Sequence, residues 1–468
     1  MTNDTIAAVA TPPGHGAIIL IRLSGPDALR IADLHWKGKP LSSCPSHTAH
    51  LGYIMPQGST PDTLPIDQAV ATIFRAPRTF TGEDIVEFGI HGSPLIARSL
   101  LQNLTDSGAR PAGPGEFSRR AVANGRMTLM QAEASADLIA ATSHAARRLA
   151  ITQMRGSAQS LLSSMTADLL HLASMLELEL DFSEEDVEFA PRAELLTTAR
   201  NIRTHIDSLI DSFATGQAIK DGIPVAITGP TNAGKSSLLN AILGEERAIV
   251  SDIHGTTRDI IEDTLTDGEY LFRLRDTAGL RDTTDPIERL GIEASRKALR
   301  QARIILHVAD ATAPMPHTLI AEAIAVNPQA KHLLLKNKTD LPAARTAQEE
   351  SIETIAISAK TGIGLPELKK RLNEIAAEDE ARAGDLLLTN ARHRDCLTQA
   401  RNALDRAIHL LTQSESPNPR TPAREIATPD IIAQAIREST DALSELTGEA
   451  LTTPSLLQNI FTRFCIGK

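Results

Sequence analysis

Cysteine is nearly absent from this chain: 468 residues contain three, Cys44, Cys396 and Cys465. They stand far apart and in no metal-ligand spacing, which excludes a disulfide scaffold and argues against a zinc or iron–sulfur centre. Aromatic residues make up only 3%, so the cores have to be built from Leu, Ile, Val and Ala. No apolar run approaches the ~20 residues of a membrane-spanning helix, so no membrane role is expected. Net positive charge is missing too, the formal balance being −11. A chain that gripped nucleic acid over a broad surface would be basic. Any RNA partner must therefore meet a local patch or be shared with a second protein. The opening Met1-Thr-Asn-Asp4-Thr lacks a basic region and is not Arg-rich, which predicts neither a secretory signal nor a transit peptide. The expected location is cytoplasmic.

Residues 1–118 alternate short apolar runs with Pro/Gly turns. Ala17–Arg22, Gln68–Phe74 and Asp84–Ile90 read as strands, and an apolar 3.6-residue period between Ser93 and Ser107 reads as a helix. An α+β domain is expected. Between Pro114 and Pro191 proline disappears, and Leu129–Arg155 and Ala158–Leu180 carry helical periodicity. The chain from about Ile375 to Lys468 is helical again, interrupted by the loop Ser414–Pro422. Between these helical stretches lie the strand-like runs Ile223–Thr228, Ile304–Asp310, Leu333–Asn337 and Thr354–Ser358, and a hairpin over Glu262–Arg275 turning at Asp267-Gly268. The economical reading is a discontinuous all-α helical domain, in parts 119–214 and 375–468, with an α/β P-loop domain, 215–374, inserted into it.

Gly229-Pro-Thr-Asn-Ala-Gly234-Lys235-Ser236 fits G-x-x-x-x-G-K-[ST] directly after a strand and before the helical Ser237–Leu243. Its glycines let successive N–H groups turn toward phosphate oxygens, and the helix N-terminus adds its positive end. Lys235 supplies a charge for the β/γ-phosphates and Ser236 a hydroxyl for Mg²⁺. Gly255-Thr256-Thr257-Arg258-Asp259 offers a further hydroxyl for Mg²⁺ and the γ-phosphate, Thr257 being the better candidate. Asp276-Thr277-Ala278-Gly279 adds a carboxylate for the metal shell and a glycine N–H. Asn337-Lys338-Thr339-Asp340 selects the base, since the Asp340 carboxylate can accept from guanine N1–H and its amino group. Ser358-Ala359-Lys360 completes the base pocket. Five motifs in this order define a guanine-nucleotide site, with Asn232, Ala233 and Ser237 of the phosphate loop also in contact range.

The residue after Asp276–Gly279 is Leu280, which cannot orient a water molecule as glutamine does in other branches of this class. Carboxylates follow on Asp285–Glu293, among them Glu288, and cations at Arg258 and Arg281. On its own chemistry Glu288 fits either water orientation or an exposed helix face. Asn232 likewise fits a ligand to a monovalent cation or a loop hydrogen bond. The acidic run Asp181–Glu188 reads as a solvated helix end or linker rather than a metal site. His144–Arg148 reads as an exposed helix face, with contact to RNA as the alternative.

Outside the nucleotide motifs stand Thr11-Pro-Pro-Gly14, Ile21–Gly25, Thr79–Asp84, His91-Gly92, Pro114–Ser118, Gln131–Ala134 and the terminal Phe464–Lys468. Together they resemble the MnmE (TrmE) family of bacterial tRNA modification GTPases, and the resemblance spans essentially the whole chain. It implies that residues 1–118 bind a tetrahydrofolate derivative (5,10-methylene- or 5-formyl-tetrahydrofolate) and form a homodimer. It implies a K⁺-stimulated GTPase that works with the FAD-containing protein MnmG, in a heterotetramer or larger complex. The joint product would be an aminomethyl or carboxymethylaminomethyl group on C5 of the wobble uridine of tRNA. By motif, Asn232, Ser251, Ile253 and Thr256 would ligate K⁺, the segment Ser251-Asp252-Ile253-His254-Gly255-Thr256 wrapping the ion beside GTP. Glu288 would orient the attacking water, with Arg281 beside it. Arg22, Glu87, Arg126 and Lys468 would meet the folate, next to Cys465, which reads either as catalytic or as a buried free thiol.

Four positions depart from the family pattern. Thr231 replaces a proline of the phosphate loop, Arg126 a lysine, His15 a basic residue and Thr128 an aspartate. An assembly GTPase of the ribosome-associated type and a slow signalling switch are the alternatives. The first would carry a basic RNA-binding module.

Overall fold

The computed structural model describes residues 4–181, 191–244, 263–266, 268–276, 286–342, 352–384, 386–415, 429–448 and 467. The chain forms two compact units, one of residues 1–136 and 444–468, the other of residues 137–443. Among the described residues no helix is long and apolar enough to cross a membrane.

The first unit is built on seven strands: β1 (Ile6–Val9), β2 (Ile18–Ser24), β3 (Trp36–Lys37), β4 (Thr48–Ile54), β5 (Asp67–Phe74), β6 (Ile85–His91) and β7 (Arg110–Pro111). They lie in the order β3-β4-β5-β6-β2-β1-β7. Strand alternation places Ile19, Ile21 and Leu23, Ala69, Ala71 and Ile73, and Val86, Phe88 and Ile90 on one face. Helices α1 (Ala28–Leu34) and α2 (Pro94–Asp106) cover that face with Leu29, Ile31, Leu100 and Leu104. Pro94 begins α2 where its missing N–H costs nothing. A third helix, α3 (Glu116–Ala123), brings Phe117 against Ile6 and Ala8 of β1.

The other face of the sheet carries a row in register across four strands, Leu51, Val70, Gly89 and Leu20. Leu51 is 68% exposed, and Ile18 nearby 67%.

A buried ion cluster ties the ends of this unit together. Glu116 accepts from Arg110 Nη2 at 2.6 Å, from Gly113 N at 2.8 Å and from Arg120 Nη2 at 3.3 Å. Arg120 also donates to Asp4 Oδ1 at 2.6 Å and Glu83 Oε1 at 3.1 Å. Burial works to raise the Glu116 carboxyl, but the guanidiniums and the Gly113 N–H outweigh it and hold it at about 2. Asp4 is held at about 2 by the same arginines against the same penalty.

Thr128 and Gln131 cap the start of α4 (Leu129–Ala140) reciprocally: Thr128 N donates to Gln131 Oε1 at 2.9 Å and Gln131 N to Thr128 Oγ1 at 3.2 Å. The helical stretch Leu129–Arg155 is not continuous. Ser143 interrupts it, its hydroxyl accepting from Ala146 N at 3.2 Å to start α5 (His144–Met154). Then come α6 (Ser157–Asp181) and α7 (Arg192–Asp221).

Helix α7 runs straight into the second sheet. It buries Leu195, Ala199, Ile202, Ile206 and Leu209 at three- and four-residue spacing. Gly216 is required in it because a Cβ there would stand 2.1 Å from Leu388 O. The second sheet comprises β8 (Ile223–Thr228), β9 (Asp263–Thr266), β10 (Leu271–Asp276), β11 (Ile304–Asp310), β12 (Lys331–Asn337) and β13 (Thr354–Ala356), in the order β13-β12-β11-β8-β10-β9. All neighbours are parallel except β9 and β10. Between the strands run α8 (Lys235–Leu243), α9 (Pro286–Gln301) and α10 (His317–Val326), and α11 (Leu365–Ala383) follows. The chain then returns through α12 (Ala391–Glu415), which packs along α7, to α13 (Pro429–Thr447). An α/β unit is thus inserted into a helical one, and α7 and α11 cross positions 214/215 and 374/375 without a break.

The β9–β10 turn is wider than its Asp267-Gly268 signal suggests, since Thr266 pairs with Leu271. Gly268 O and Glu269 O accept from His144 N and Ala145 N at 2.8 and 2.9 Å, so α5 grips the turn. Arg148 pairs with Glu269 and Glu380, which commits that arginine to acidic partners within the fold. The run Asp181–Glu188 lies outside the described residues after Asp181.

Because the Glu116 carboxyl is depressed, its contribution to stability is complete above the ordinary carboxylate range and is lost as pH falls toward 2. Glu116→Gln should cost about 3 kcal/mol at neutral pH. Urea melts between about pH 6 and 3 should show the gap from the unaltered chain narrowing with acid. A gap independent of pH would refute the cluster's role.

Candidate functional site

The second sheet positions one site by its strand order. After β8 the chain goes to β9 and β10 on one side and later to β11 on the other, so the crevice beyond the carboxyl end of β8 is the topological switch point. The loop Gly229–Gly234 occupies it. Gly229, at φ 152°, admits no side chain because a Cβ would stand 2.2 Å from Val308 O. Gly234, at φ 94°, caps α8, and a Cβ there would meet Asn337 Nδ2 at 2.2 Å. Asn232 takes a left-handed conformation at φ 65°, which asparagine tolerates better than most residues. Lys235 opens α8, its ammonium donating to Gly229 O at 3.0 Å and Pro230 O at 3.1 Å across the loop mouth. Ser236 and Ser237 follow in the first turn of α8.

Asp276 ends β10 opposite Ile227 of β8, so its carboxylate stands one strand from the loop. Partial burial pushes that carboxyl up, against the pull of Lys235. Ser236 and Asp276 offer the hard oxygen donors that Mg²⁺ prefers.

On the far side, Asn337 ends β12 with its side chain buried. Its Nδ2 donates to Ala233 O at 2.8 Å, and its Oδ1 accepts from Ala359 N at 2.9 Å. One amide therefore joins the phosphate loop to the Ser358-Ala359-Lys360 loop. Lys338, at φ 66°, pairs with Asp310 at 2.6 Å. Burial works to raise Asp310, but Lys338 and Thr312 hold it at about 2. Thr339 Oγ1 donates to Ile357 O at 2.9 Å. Ser358, fully buried, donates to Asp340 Oδ1 at 2.7 Å and aims an exposed carboxylate. Lys360 is exposed beside it.

The structure thus gathers Asn232, Ala233, Gly234, Lys235, Ser236, Ser237, Asp276, Asn337, Lys338, Asp340, Ser358, Ala359 and Lys360 around the ends of β8, β10 and β12. Glu288 falls in the first turn of α9, and its side chain lies outside the described residues. Ser251–Thr257, Thr277–Gly279, Arg281, Cys465 and Lys468 also lie outside them.

In the first unit, Arg22 and Glu87 are directly opposed across β2 and β6, with Arg22 Nε donating to Glu87 Oε1 at 2.7 Å. The Arg22 guanidinium sits 5.4 Å from the Phe80 ring and 5.6 Å from that of Phe117, and its Nη1 donates to Gly467 O at 3.4 Å. Gly467 packs on β1, where a Cβ would meet Val9 O at 2.5 Å. Arg126 Nε donates to Thr79 O at 3.1 Å. Arg22, Glu87 and Arg126 therefore gather around the Thr79–Asp84 loop, which also joins the Glu116 cluster through Glu83. Sequence reasoning missed Phe80 and Phe117 as neighbours of Arg22. Both stand in quoted motifs, and only the fold makes them converge.

A glycine-bounded phosphate loop at a switch point, with Asn337 and Asp340 set across from it, defines a P-loop protein of the GTPase class. Family models for the "GTP-binding protein TrmE N-terminus" and the "MnmE helical domain" match residues 5–126 and 129–465. The chain is similar to the tRNA modification GTPase MnmE of Cytophaga hutchinsonii, 44% identical over 100% of this chain and 98% of the relative. It is 46% identical to that of Parabacteroides distasonis, over 99% of this chain and 100% of the relative. The G domain of the T. maritima FeoB iron transporter is 27% identical over 33% of this chain and 98% of that one, at a TM-score of 0.27, too low to bear on the fold. The chain belongs to the MnmE family of tRNA modification GTPases.

Asp340→Asn should lower GTP affinity about 100-fold, since two charge-assisted bonds to guanine are lost. Xanthosine triphosphate, whose base offers an oxygen where guanine has an amino group, should bind the variant better than GTP. Unchanged GTP affinity would remove Asp340 from base recognition.

Proposed function

We propose that this chain hydrolyses GTP in the course of tRNA modification. With the FAD protein MnmG it installs an aminomethyl or carboxymethylaminomethyl group on C5 of the wobble uridine, drawing the one-carbon unit from a tetrahydrofolate derivative. The observation that carries this reading is the exposed Asp340 carboxylate held by Ser358, in a chain that matches tRNA modification GTPases from end to end.

In this reading Lys235 and the loop N–H groups hold the β- and γ-phosphates. Ser236 and Thr257 would ligate Mg²⁺, and Asp276 would add a carboxylate to the metal shell. The metal's chemistry is to neutralise charge on the phosphate oxygens. Thr277–Gly279 contact the γ-phosphate, and Asn337, Lys338, Asp340 and Ser358–Lys360 hold the base. Asn232, Ser251, Ile253 and Thr256 hold K⁺, Asp252, His254 and Gly255 lie along the nucleotide, and Glu288 orients water with Arg281 nearby. The exposure of Asn232 supports its part, since an exposed amide can reach a ligand.

The folate rests on Arg22, Glu87, Arg126 and Lys468, next to Cys465. Arg22 engages one Glu87 oxygen, and the second suits pterin N–H donors. The homodimer is supported by the exposed apolar row Leu51–Val70, which would be costly to leave in water. Residues 1–118, 119–214, 215–374 and 375–468 are the functional segments, in a cytoplasmic protein.

Mass analysis of tRNA nucleosides from cells lacking this protein should show loss of the modified wobble uridine. Unchanged wobble uridines would sink the reading. At the residue level, Asn232→Ala should abolish K⁺ stimulation while nucleotide still binds, and Glu288→Ala should stop hydrolysis with little change in GTP affinity. Retained K⁺ stimulation in the first or near-normal turnover in the second would remove that residue from its role.

A further inference from the structure

Asp310 ends β11 in register with Asn337, the first residue of the Asn337–Asp340 run. The two chains stay joined past that pair, since Ala311 N donates to Asn337 O at 2.9 Å. Asp310 belongs to none of the five nucleotide motifs, yet both of its carboxylate oxygens are committed beside them. Its Oδ1 accepts from Thr312 N at 2.9 Å and from Thr312 Oγ1 at 2.7 Å, and its Oδ2 accepts from Lys338 Nζ at 2.6 Å. The first two bonds close a turn that aims the carboxylate, and the third ties down a lysine. Lys338 stands at φ 66°, a left-handed conformation that a lysine enters only at a cost. The loop over-determines it. Asn337 is pinned at both polar atoms, Thr339 Oγ1 donates to Ile357 O at 2.9 Å, and Leu341 N donates to Lys338 O at 3.1 Å. Asp310 is the anchor at the side-chain end.

A lysine held in this way has two parts with different uses. Its ammonium is paired with a carboxylate, so it offers little net charge to a phosphate, a task that falls to Lys235. What remains is the four-carbon stem, an apolar strip of fixed direction in the same turn as Asp340. The flat face of a purine is a matching surface. We propose that Asp310 is a positioning residue for nucleotide binding: through Lys338, and without touching the nucleotide, it holds that strip ready for the guanine base. The inference rests on the reading of Asn337–Asp340 as the base-recognition run. An untethered lysine samples many rotamers and has to be ordered each time a nucleotide binds, so tethering it in advance lowers the cost of binding.

The test is a double-mutant cycle on the full chain with Asp310→Asn, Lys338→Met and the two combined, read as GTP and GDP affinity and as steady-state hydrolysis. Asparagine keeps the size of the side chain and an acceptor for Thr312 while removing the charge that holds Lys338. Asp310→Asn should weaken GTP and GDP binding about fivefold, the cost of ordering one long side chain. The loss should come through faster release, with KM raised and kcat unchanged. In the Lys338→Met background, where no ammonium needs an anchor, the same substitution should change nothing. Equal losses in both backgrounds would make Asp310 a support for the Thr312 turn alone and overturn the proposal. Tripolyphosphate, which has no base, should bind Asp310→Asn as it binds the unaltered chain. A parallel loss there would place the defect in the phosphate loop and likewise overturn it. Unchanged GDP affinity in Asp310→Asn, with Asp340→Asn impaired, would remove Asp310 from this role and leave the base reading standing. Unchanged affinity in Asp340→Asn would sink the base reading, and this proposal with it.

Discussion

The nucleotide site depends on one buried amide. Asn337 spans from the phosphate loop to the base loop, donating to Ala233 O and accepting from Ala359 N. Both of its polar atoms are used, so it adds rigidity without leaving an unsatisfied group. The constraint spreads outward. Gly234 lacks a side chain because Asn337 Nδ2 fills the space a Cβ would take, and Asn337 can reach the phosphate loop because β11 and β12 run on three residues past the end of β8. Ser358 and Asp340 then follow, set by the same pair of strand ends.

The first unit reaches comparable rigidity with charges. Glu116 and Arg120 are buried, and each is expensive to desolvate unless it is fully paired. Paired, they lock Asp4, the Thr79–Asp84 loop and α3 together, and with them Phe80 and Phe117 beside Arg22. A cation in contact with two rings and a carboxylate has little freedom left.

Much of the fold was legible because long apolar runs and turn residues agree with each other. Ile223–Thr228 and Ile304–Asp310 are strands buried on both faces, and their continuous apolar runs announce it. The phosphate loop and the Asn337–Asp340 run were legible for a different reason. Their spacing is dictated by the ligand, so it survives in sequence order. Less visible were features that depend on a distant partner. Leu129–Arg155 looks continuous because Ala and Leu dominate it, and only the Ser143 cap reveals the break. Gly216 looks like a helix defect until Leu388 O is found against it. The Glu116 cluster draws on residues as far apart as Asp4 and Arg120, a separation no local pattern encodes.

The two ends of β10 have different neighbours. At one end Asp276 stands beside the phosphate loop. At the other, the turn before β10 is held by α5, through the backbone of His144 and Ala145 and through Arg148, and Tyr270 donates to Glu380 of α11 at 2.5 Å. Burial and that carboxylate raise the Tyr270 hydroxyl well above its ordinary range, so it stays a neutral donor at any physiological pH. A hydrogen-bonded strand is stiff along its length. Asp276 therefore sits on a strand whose other end is tied by hydrogen bonds and ion pairs to α5 and α11.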